Sequence, residues 1–154
     1  MHGISSAVLY SGLEPFGKCL SISGDGLNAG AGGSGDIRIF KYTSLTNTWN
    51  QVGGAIDIFG TSISLSANGD TVASGHANES GYIRVFRYSS ETDAWIQLGT
   101  TIKGDHSNEY FGYSISLSAD GNTVAAGSYN SNSGYIKIFR YSTEANELIQ
   151  LNKT

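Results

Sequence analysis

The chain has 154 residues, including 21 glycines and one proline, with 39% hydrophobic and 14% charged residues and a formal net charge of −4. This length fits one ordinary domain, and the low charge with abundant small polar residues favours a turn-rich all-β protein over a helical bundle. No stretch approaches the length of a membrane span, and nine lysines and arginines leave no basic surface for nucleic acid.

The first segment, residues 1–15, precedes the repeats described below. It contains no lysine or arginine before the short apolar run at residues 7–10, so it lacks the pattern of a signal peptide. We interpret it as an edge segment, which is either a remnant outer strand of a preceding blade or a cover over the edge of the repeats. The single cysteine, Cys19, predicts a buried, inert thiol and no internal disulfide.

A unit that begins with Phe-Gly then occurs three times. The second and third copies match at 13 of their first 17 positions, and the three starts are 43 and 52 residues apart. This spacing is the period of a four-stranded propeller blade. The starts are Phe16-Gly17, Phe59-Gly60 and Phe111-Gly112.

The sequence of each copy predicts four strands, and the strand pattern is clearest in the second copy. Residues 62–66, Ser-Ile-Ser-Leu-Ser, alternate with period two, and residues 71–73 follow after an Asn-Gly turn, which predicts a hairpin. Residues 81–88 form the third predicted strand and residues 94–98 the fourth. Both faces of the third strand carry large apolar groups, so we expect the sheets to pack face to face and one copy alone to be unstable.

These units resemble FG-GAP-type propeller repeats, the class found in integrin alpha-subunit heads and in many extracellular or cell-surface proteins of microbes and algae. The Phe-Gly openings, the Ser-Ile-Ser-Leu-Ser strands and the third strands of the type Gly-Tyr-Ile-Arg-Val-Phe carry the resemblance. A weaker similarity to WD-repeat blades also implies a propeller. The Gly-Ala-Pro element is missing, and short turns such as Asp120-Gly121-Asn122 replace the acidic calcium loop. We therefore expect no cofactor and no built-in calcium site.

The predicted fold is all-β, with three four-stranded antiparallel repeats arranged as propeller blades. The predicted divisions are an N-terminal edge segment at 1–15, a degenerate blade 1 at 16–58, blade 2 at 59–110 and blade 3 at 111–154. Propellers have four to eight blades, so three repeats bury two interfaces and leave two outer faces bare. Three solutions stay open: a piece of a longer propeller, a homodimer with six blades, or an open array.

Candidate catalytic residues are scarce. The three histidines are not at equivalent repeat positions, and residues 105–109 place two carboxylates and a histidine in a linker that we interpret as a solvated loop rather than a metal site. Loops that vary between repeats are the usual place for partner specificity, and tryptophan recurs at one blade position, which favours packing over a ligand site. The candidate binding residues are His76, Asn78, Glu79, Tyr129, Asn130, Asn132, Trp49 and Trp95.

The sequence therefore predicts a non-enzymatic module that binds a protein or a glycan. Two alternatives stay open: an oligomeric lectin whose aromatic residues form sugar pockets, and a hydrolase or quinoprotein-like enzyme acting in the central channel of a closed ring. Only the family resemblance suggests an extracellular or cell-surface location, and the residues themselves leave the compartment unknown.

Overall fold

The computed structural model describes residues 15–33, 35–130 and 133–151. Residues 1–14 of the edge segment predicted at 1–15 lie outside these ranges, as does Asn132. No described segment is a helix of the length and apolar character that crossing a membrane would require. The strands are β1 (Phe16–Ile22), β2 (Asn28–Gly33), β3 (Asp36–Thr43), β4 (Thr48–Gln51), β5 (Ile56–Asp57), β6 (Ser62–Leu65), β7 (Thr71–His76), β8 (Tyr82–Ser89), β9 (Ala94–Gln97), β10 (Ile102–Lys103), β11 (Ser114–Leu117), β12 (Thr123–Ser128), β13 (Tyr135–Ser142) and β14 (Glu147–Gln150).

These strands form three antiparallel sheets, and the predicted all-β fold with three four-stranded repeats is confirmed. Blade 1 has the order β1-β2-β3-β4, blade 2 contains β6 to β9 and blade 3 has the order β11-β12-β13-β14. The two-residue strands β5 and β10 were not predicted. They pair with β3 and β8, the same strands that pair with β4 and β9, and so extend the outer edges of blades 1 and 2.

The hairpin between the first and second strands is held by its own side chains. In blade 3, Asp120 Oδ1 accepts hydrogen bonds from the Ser118 hydroxyl at 2.5 Å and from the Asn122 amide at 3.0 Å. These bonds, with the Ser118 bond contributing most, lower the pKa of Asp120. The following Gly121 has a φ of 70°, which favours glycine. The Asp120 carboxylate therefore stabilises the turn.

A second turn, between the third and fourth strands, repeats once in every blade. One residue of this turn has a left-handed backbone conformation, and its side chain accepts a hydrogen bond from a tyrosine hydroxyl five positions earlier. In blade 2, the Tyr88 hydroxyl donates to Asp93 Oδ1 at 2.8 Å. Tyr42 with Asn47 and Tyr141 with Asn146 repeat this geometry. The recurring tyrosine at the end of each third strand therefore fixes a turn.

Two apolar clusters form the core, and each lies between two blades. Ile83 and Val85, exposed by 0% and 1%, pack on blade 3 together with Phe111. Phe86, from the opposite face of the same strand, belongs with Ile39 to the cluster between blades 1 and 2. The third strand of blade 2 is thus buried on both faces, as predicted.

The first strands of successive blades contact each other along the axis of the array. Their edge amides are satisfied by serine hydroxyls of the preceding blade. Ser21 Oγ accepts from the Leu65 amide at 3.0 Å, and Ser64 Oγ accepts from the Leu117 amide at 3.0 Å. The serines of the Ser-Ile-Ser-Leu motif therefore join blades, because an unpaired edge amide is costly to bury.

Candidate binding groove

The candidate site lies at one end of the sheets. In a four-stranded antiparallel blade, the loop between the second and third strands and the linker to the next blade emerge at the same end. We call this end the linker rim; it is formed by loops 77–81 and 129–134 and by linkers 52–61 and 98–113, except residues 131 and 132, which are not described. Four of the described candidate residues, Asn78, Glu79, Tyr129 and Asn130, belong to this rim, and His76 ends β7 directly before loop 77–81.

One concave feature of the rim is a groove of about 590 Å³, which we call the tyrosine groove. Its three tyrosines, Tyr110, Tyr113 and Tyr129, are 40%, 53% and 64% exposed. A volume of this size is typical of a small-ligand site. The groove is lined by Lys18, Thr61, Ala77, Tyr110, Tyr113 and Tyr129.

Three lining residues come from the same position of the three repeats. Each directly follows the Phe-Gly opening: Lys18 is the third residue of β1, and Thr61 and Tyr113 directly precede β6 and β11. The contact between first strands brings these positions together at the axis. They differ from blade to blade although the surrounding motif is repeated, and this variation was the sequence signal by which they could have been found.

Tyr110 is held in an unusual backbone conformation. Its φ is 52°, in the left-handed region that bulky residues rarely adopt. Its amide donates to the Glu79 carbonyl at 3.1 Å, and its carbonyl accepts from the Tyr113 amide at 3.1 Å. Such strain persists only where the surroundings impose it, and it is concentrated at functional sites.

The loops beside Tyr110 are tied to blade 3. The Ser128 hydroxyl donates to the Glu109 carbonyl at 2.5 Å, and the Asn130 amide group donates to the Asn108 carbonyl at 3.0 Å. The Tyr113 and Tyr129 rings lie 5.2 Å apart and are inclined by 31°. The groove therefore presents tyrosine rings on an anchored support.

A charged cluster fixes the same linker on its other side. Tyr135 donates to Glu109 Oε2 at 2.7 Å, and Lys137 forms an ion pair with Asp105 at 2.6 Å. Burial, followed by the neighbouring Glu109, raises the pKa of Tyr135 to about 12. These contacts assign residues 105–109 to anchoring the linker, and the described residues contain no group of three side chains suited to hold a metal ion.

His76 lies in a second groove of about 570 Å³, the histidine groove. Its ring packs between Phe59 and Tyr82, with centroids 5.6 Å and 5.0 Å away, and its Nδ1 is buried without a hydrogen-bond partner. Burial, followed by the charge of Lys18, lowers the pKa of His76. This groove is lined by His76, Asn78, Glu79, Ser80, Gly81, Tyr82, Arg84, Thr101 and Lys103.

The other sequence candidates lie elsewhere. Trp95 packs against the cluster between blades 1 and 2, and its indole donates to the Val52 carbonyl at 3.0 Å. Trp49 occupies the matching position of blade 1, 5.6 Å from the Tyr42 ring. Cys19 is buried in the first interface, and burial raises the pKa of its thiol, which fits an inert thiol. The structure brings together Tyr129, His76, Asn78, Glu79 and Asn130 at the rim but places both tryptophans outside it.

Several solved structures resemble the chain. A candidate 6-phosphogluconolactonase from Bacteroides uniformis has 22% sequence identity and a TM-score of 0.57, and the match covers 87% of this chain and 39% of that one. Another candidate 6-phosphogluconolactonase, from Bacteroides fragilis, has 15% identity and a TM-score of 0.58, and the match covers 87% of this chain and 37% of that one. Sqt1 from Saccharomyces cerevisiae has 15% identity and a TM-score of 0.57, and the match covers 86% of this chain and 33% of that one.

At these identities the likeness shows the fold alone, and that fold is a β-propeller with four-stranded antiparallel blades. The chain spans between one third and two fifths of the length of these structures. No protein-family model matches the sequence, and no curated protein matches it significantly. The resemblance to FG-GAP and WD repeats therefore stays a prediction.

Proposed function

We propose that this chain is a non-enzymatic binding module that holds a partner protein in the tyrosine groove. The observation that supports this proposal is the convergence of Tyr110, Tyr113 and Tyr129, all exposed, around one concavity on an anchored rim. Tyrosine is enriched in protein interfaces because its ring gives a large apolar contact and its hydroxyl a hydrogen bond, with little side-chain entropy to lose.

Glycan binding is a second candidate. Tyr113 and Tyr129 present neighbouring ring surfaces, inclined by 31°, beside the hydroxyl of Thr61 and the ammonium group of Lys18. A sugar offers apolar C–H faces to rings and hydroxyls to polar groups, so this arrangement suits it as well. The two candidates use the same groove, and ligand screening distinguishes them.

The test is a parallel screen of the purified chain on a random peptide library and on a glycan array. The best peptide is then titrated against the wild type and against Tyr113→Ala and Tyr110→Ala. We expect at least about a fivefold loss of affinity in both variants, because removing a central tyrosine typically costs more than about 1 kcal/mol. Leu45→Ala is the matched control, since Leu45 is 95% exposed on a turn away from the linker rim.

Binding of glycans but not of peptides, lost in the same variants, would support the second candidate and overturn the first. Tight binding that survives both tyrosine substitutions would contradict any role for the groove. A chain that binds neither class would also contradict it.

An enzymatic function is an alternative for the histidine groove. His76 there has a lowered pKa and an unpartnered Nδ1, and Arg84 and Lys103 supply positive charge. Two structural neighbours are candidate 6-phosphogluconolactonases. Hydrolysis of 6-phosphogluconolactone that is abolished in His76→Gln would support this alternative, and a rate equal to that of buffer would reject it.

A further inference from the structure

We propose that the open face of blade 3 binds the open face of blade 1 in a second copy of this chain. Two copies then join head to tail through two equivalent interfaces. Each of these interfaces repeats the packing already present twice within the chain.

The open face of blade 1 carries apolar residues that blade 2 buries at matching positions. Leu20 and Ile22 in β1 are 72% and 63% exposed. Their counterparts in β6, Ile63 and Leu65, are each 7% exposed because blade 1 covers them. A depression of about 550 Å³ lies over β1 and β2 on this open face.

Two glycines of blade 1 also lie on an uncovered face, whereas the matching glycines of blades 2 and 3 lie against the preceding blade. A Cβ on Gly26 would meet nothing within 4 Å, whereas a Cβ on the matching Gly69 would lie 2.3 Å from the Asn28 side chain of the preceding blade. Gly17 is likewise open, whereas the matching Gly112 abuts blade 2. Blade 1 thus retains a surface shaped to receive a preceding blade.

Blade 3 presents the complementary surface. Ile136 and Ile138 in β13 are 73% and 43% exposed. The matching residues of blade 2, Ile83 and Val85, are 0% and 1% exposed beneath blade 3. Exposed apolar patches of this kind mark interaction sites.

The polar groups also match. Ser116 of blade 3 is exposed and occupies the position at which Ser21 and Ser64 accept an edge amide from the next blade. In the head-to-tail pair it accepts the amide of Ile22 from the second copy. The alternating period of the strand places this amide on the same edge as those of Leu65 and Leu117.

An arginine side chain also occupies matching positions on the covered face of blade 2 and the open face of blade 3. Arg87 of blade 2 crosses the second interface, where its guanidinium donates to Asn122 Oδ1 at 3.0 Å and lies 5.6 Å from the centre of the Tyr141 ring. Arg140 is the matching residue of blade 3 and is exposed. It would lie over Tyr42 of the second copy in the same way.

A second copy is the occupant that fits both faces, because each chain offers one face of each kind. Head-to-tail interfaces close into a ring when the rotation between copies permits, and otherwise continue as filaments. Two three-blade copies make six blades, within the range of closed propellers. We therefore assign the pair a closed ring.

The test measures solution mass by light scattering during size exclusion, using the wild type, Leu20→Asp and Ile136→Asp. We expect the wild type at twice the chain mass of 16.3 kDa and each variant at the single-chain mass. An equimolar mixture of the two variants should again form pairs. The unchanged blade 3 face of Leu20→Asp can then bind the unchanged blade 1 face of Ile136→Asp, which gives one intact interface. Leu45→Asp is the control and should pair like the wild type.

Circular dichroism of each variant shows whether the blades remain folded. A wild type that stays at the single-chain mass at micromolar concentrations overturns the proposal. An open-ended series of larger species overturns it as well. If Ile136→Asp still pairs while Leu20→Asp does not, the blade 1 faces of two copies bind each other, and the head-to-tail arrangement is wrong.

Discussion

Replacing Ile83 by alanine tests whether the blades are held together by the apolar groups of their third strands. Ile83 is fully buried between blades 2 and 3, in the cluster that also contains Phe111, Val124 and Phe139. The substitution removes three carbon atoms, and about 0.8 kcal/mol per buried methylene gives about 2.4 kcal/mol. The cavity left behind brings the expected loss of unfolding free energy to about 2.5–4 kcal/mol.

The assay is urea unfolding followed by tryptophan fluorescence and far-UV circular dichroism, at one protein concentration for all variants. Ile96→Ala is the matched control, because Ile96 lies in the same blade and is 50% exposed. We expect this control to lose about 1 kcal/mol or less. Equal losses in the two variants would mean that the buried interface contributes no more to stability than the exposed surface.

Three further predictions follow from local geometry. Gly69→Ala should lower the unfolding free energy by about 1–3 kcal/mol because of its φ of 73° and the adjacent Asn28 side chain, whereas Gly54→Ala, with open space around it, should change little by the same urea assay. The lowered pKa of His76 means that the unfolded chain takes up its proton first, so stability should fall as the pH drops below 6.5, and His76→Gln should flatten this dependence in melting curves. Tyr135 should ionise near pH 12, so its stabilising contribution is lost as the pH rises from 10 towards that value; an ultraviolet titration in which Tyr135→Phe leaves the highest step unchanged would contradict this.

Most of the fold was predictable because the repeat encodes it locally. The alternation of Ser62 to Ser66 fixes which side chains face the next blade, and the Asn-Gly and Asp-Gly turns fix the hairpin register. The double-sided apolar pattern of β8 required packing on both faces, and the structure has it. The short strands β5 and β10 escaped prediction because two-residue pairings leave no periodic signal.

The candidate site was only partly predictable. Tyr129 lies in a loop that differs visibly between repeats, and His76 ends the strand β7 directly before another such loop at the linker rim. Lys18 and Tyr113 were missed because each sits inside an otherwise repeated motif, and only the convergence of the first strands shows that they share a groove. The left-handed conformation of Tyr110 depends on contacts from Glu79 and Tyr113, which local sequence does not reveal.

The tryptophans show what a residue that recurs at one blade position contributes to packing. Trp95 recurs because its indole donates a hydrogen bond to the preceding blade and its ring covers the interface cluster. Its role as a binding residue stays a prediction, and so does that of Trp49, which lies at the matching position of the first blade. Packing at every blade requires the repetition, whereas a ligand site tolerates variation.

The contacts between blades are tested most directly by amide hydrogen exchange, measured by nuclear magnetic resonance, at the three matching positions Ile22, Leu65 and Leu117. We expect slow exchange of the Leu65 and Leu117 amides, and faster exchange of Leu65 alone in Ser21→Ala. We expect slow exchange of the Ile22 amide only at concentrations where two copies pair. Fast exchange of Leu65 and Leu117 in the wild type would contradict the serine-joined blades. Protection of Ile22 that does not change on dilution would contradict the head-to-tail pair.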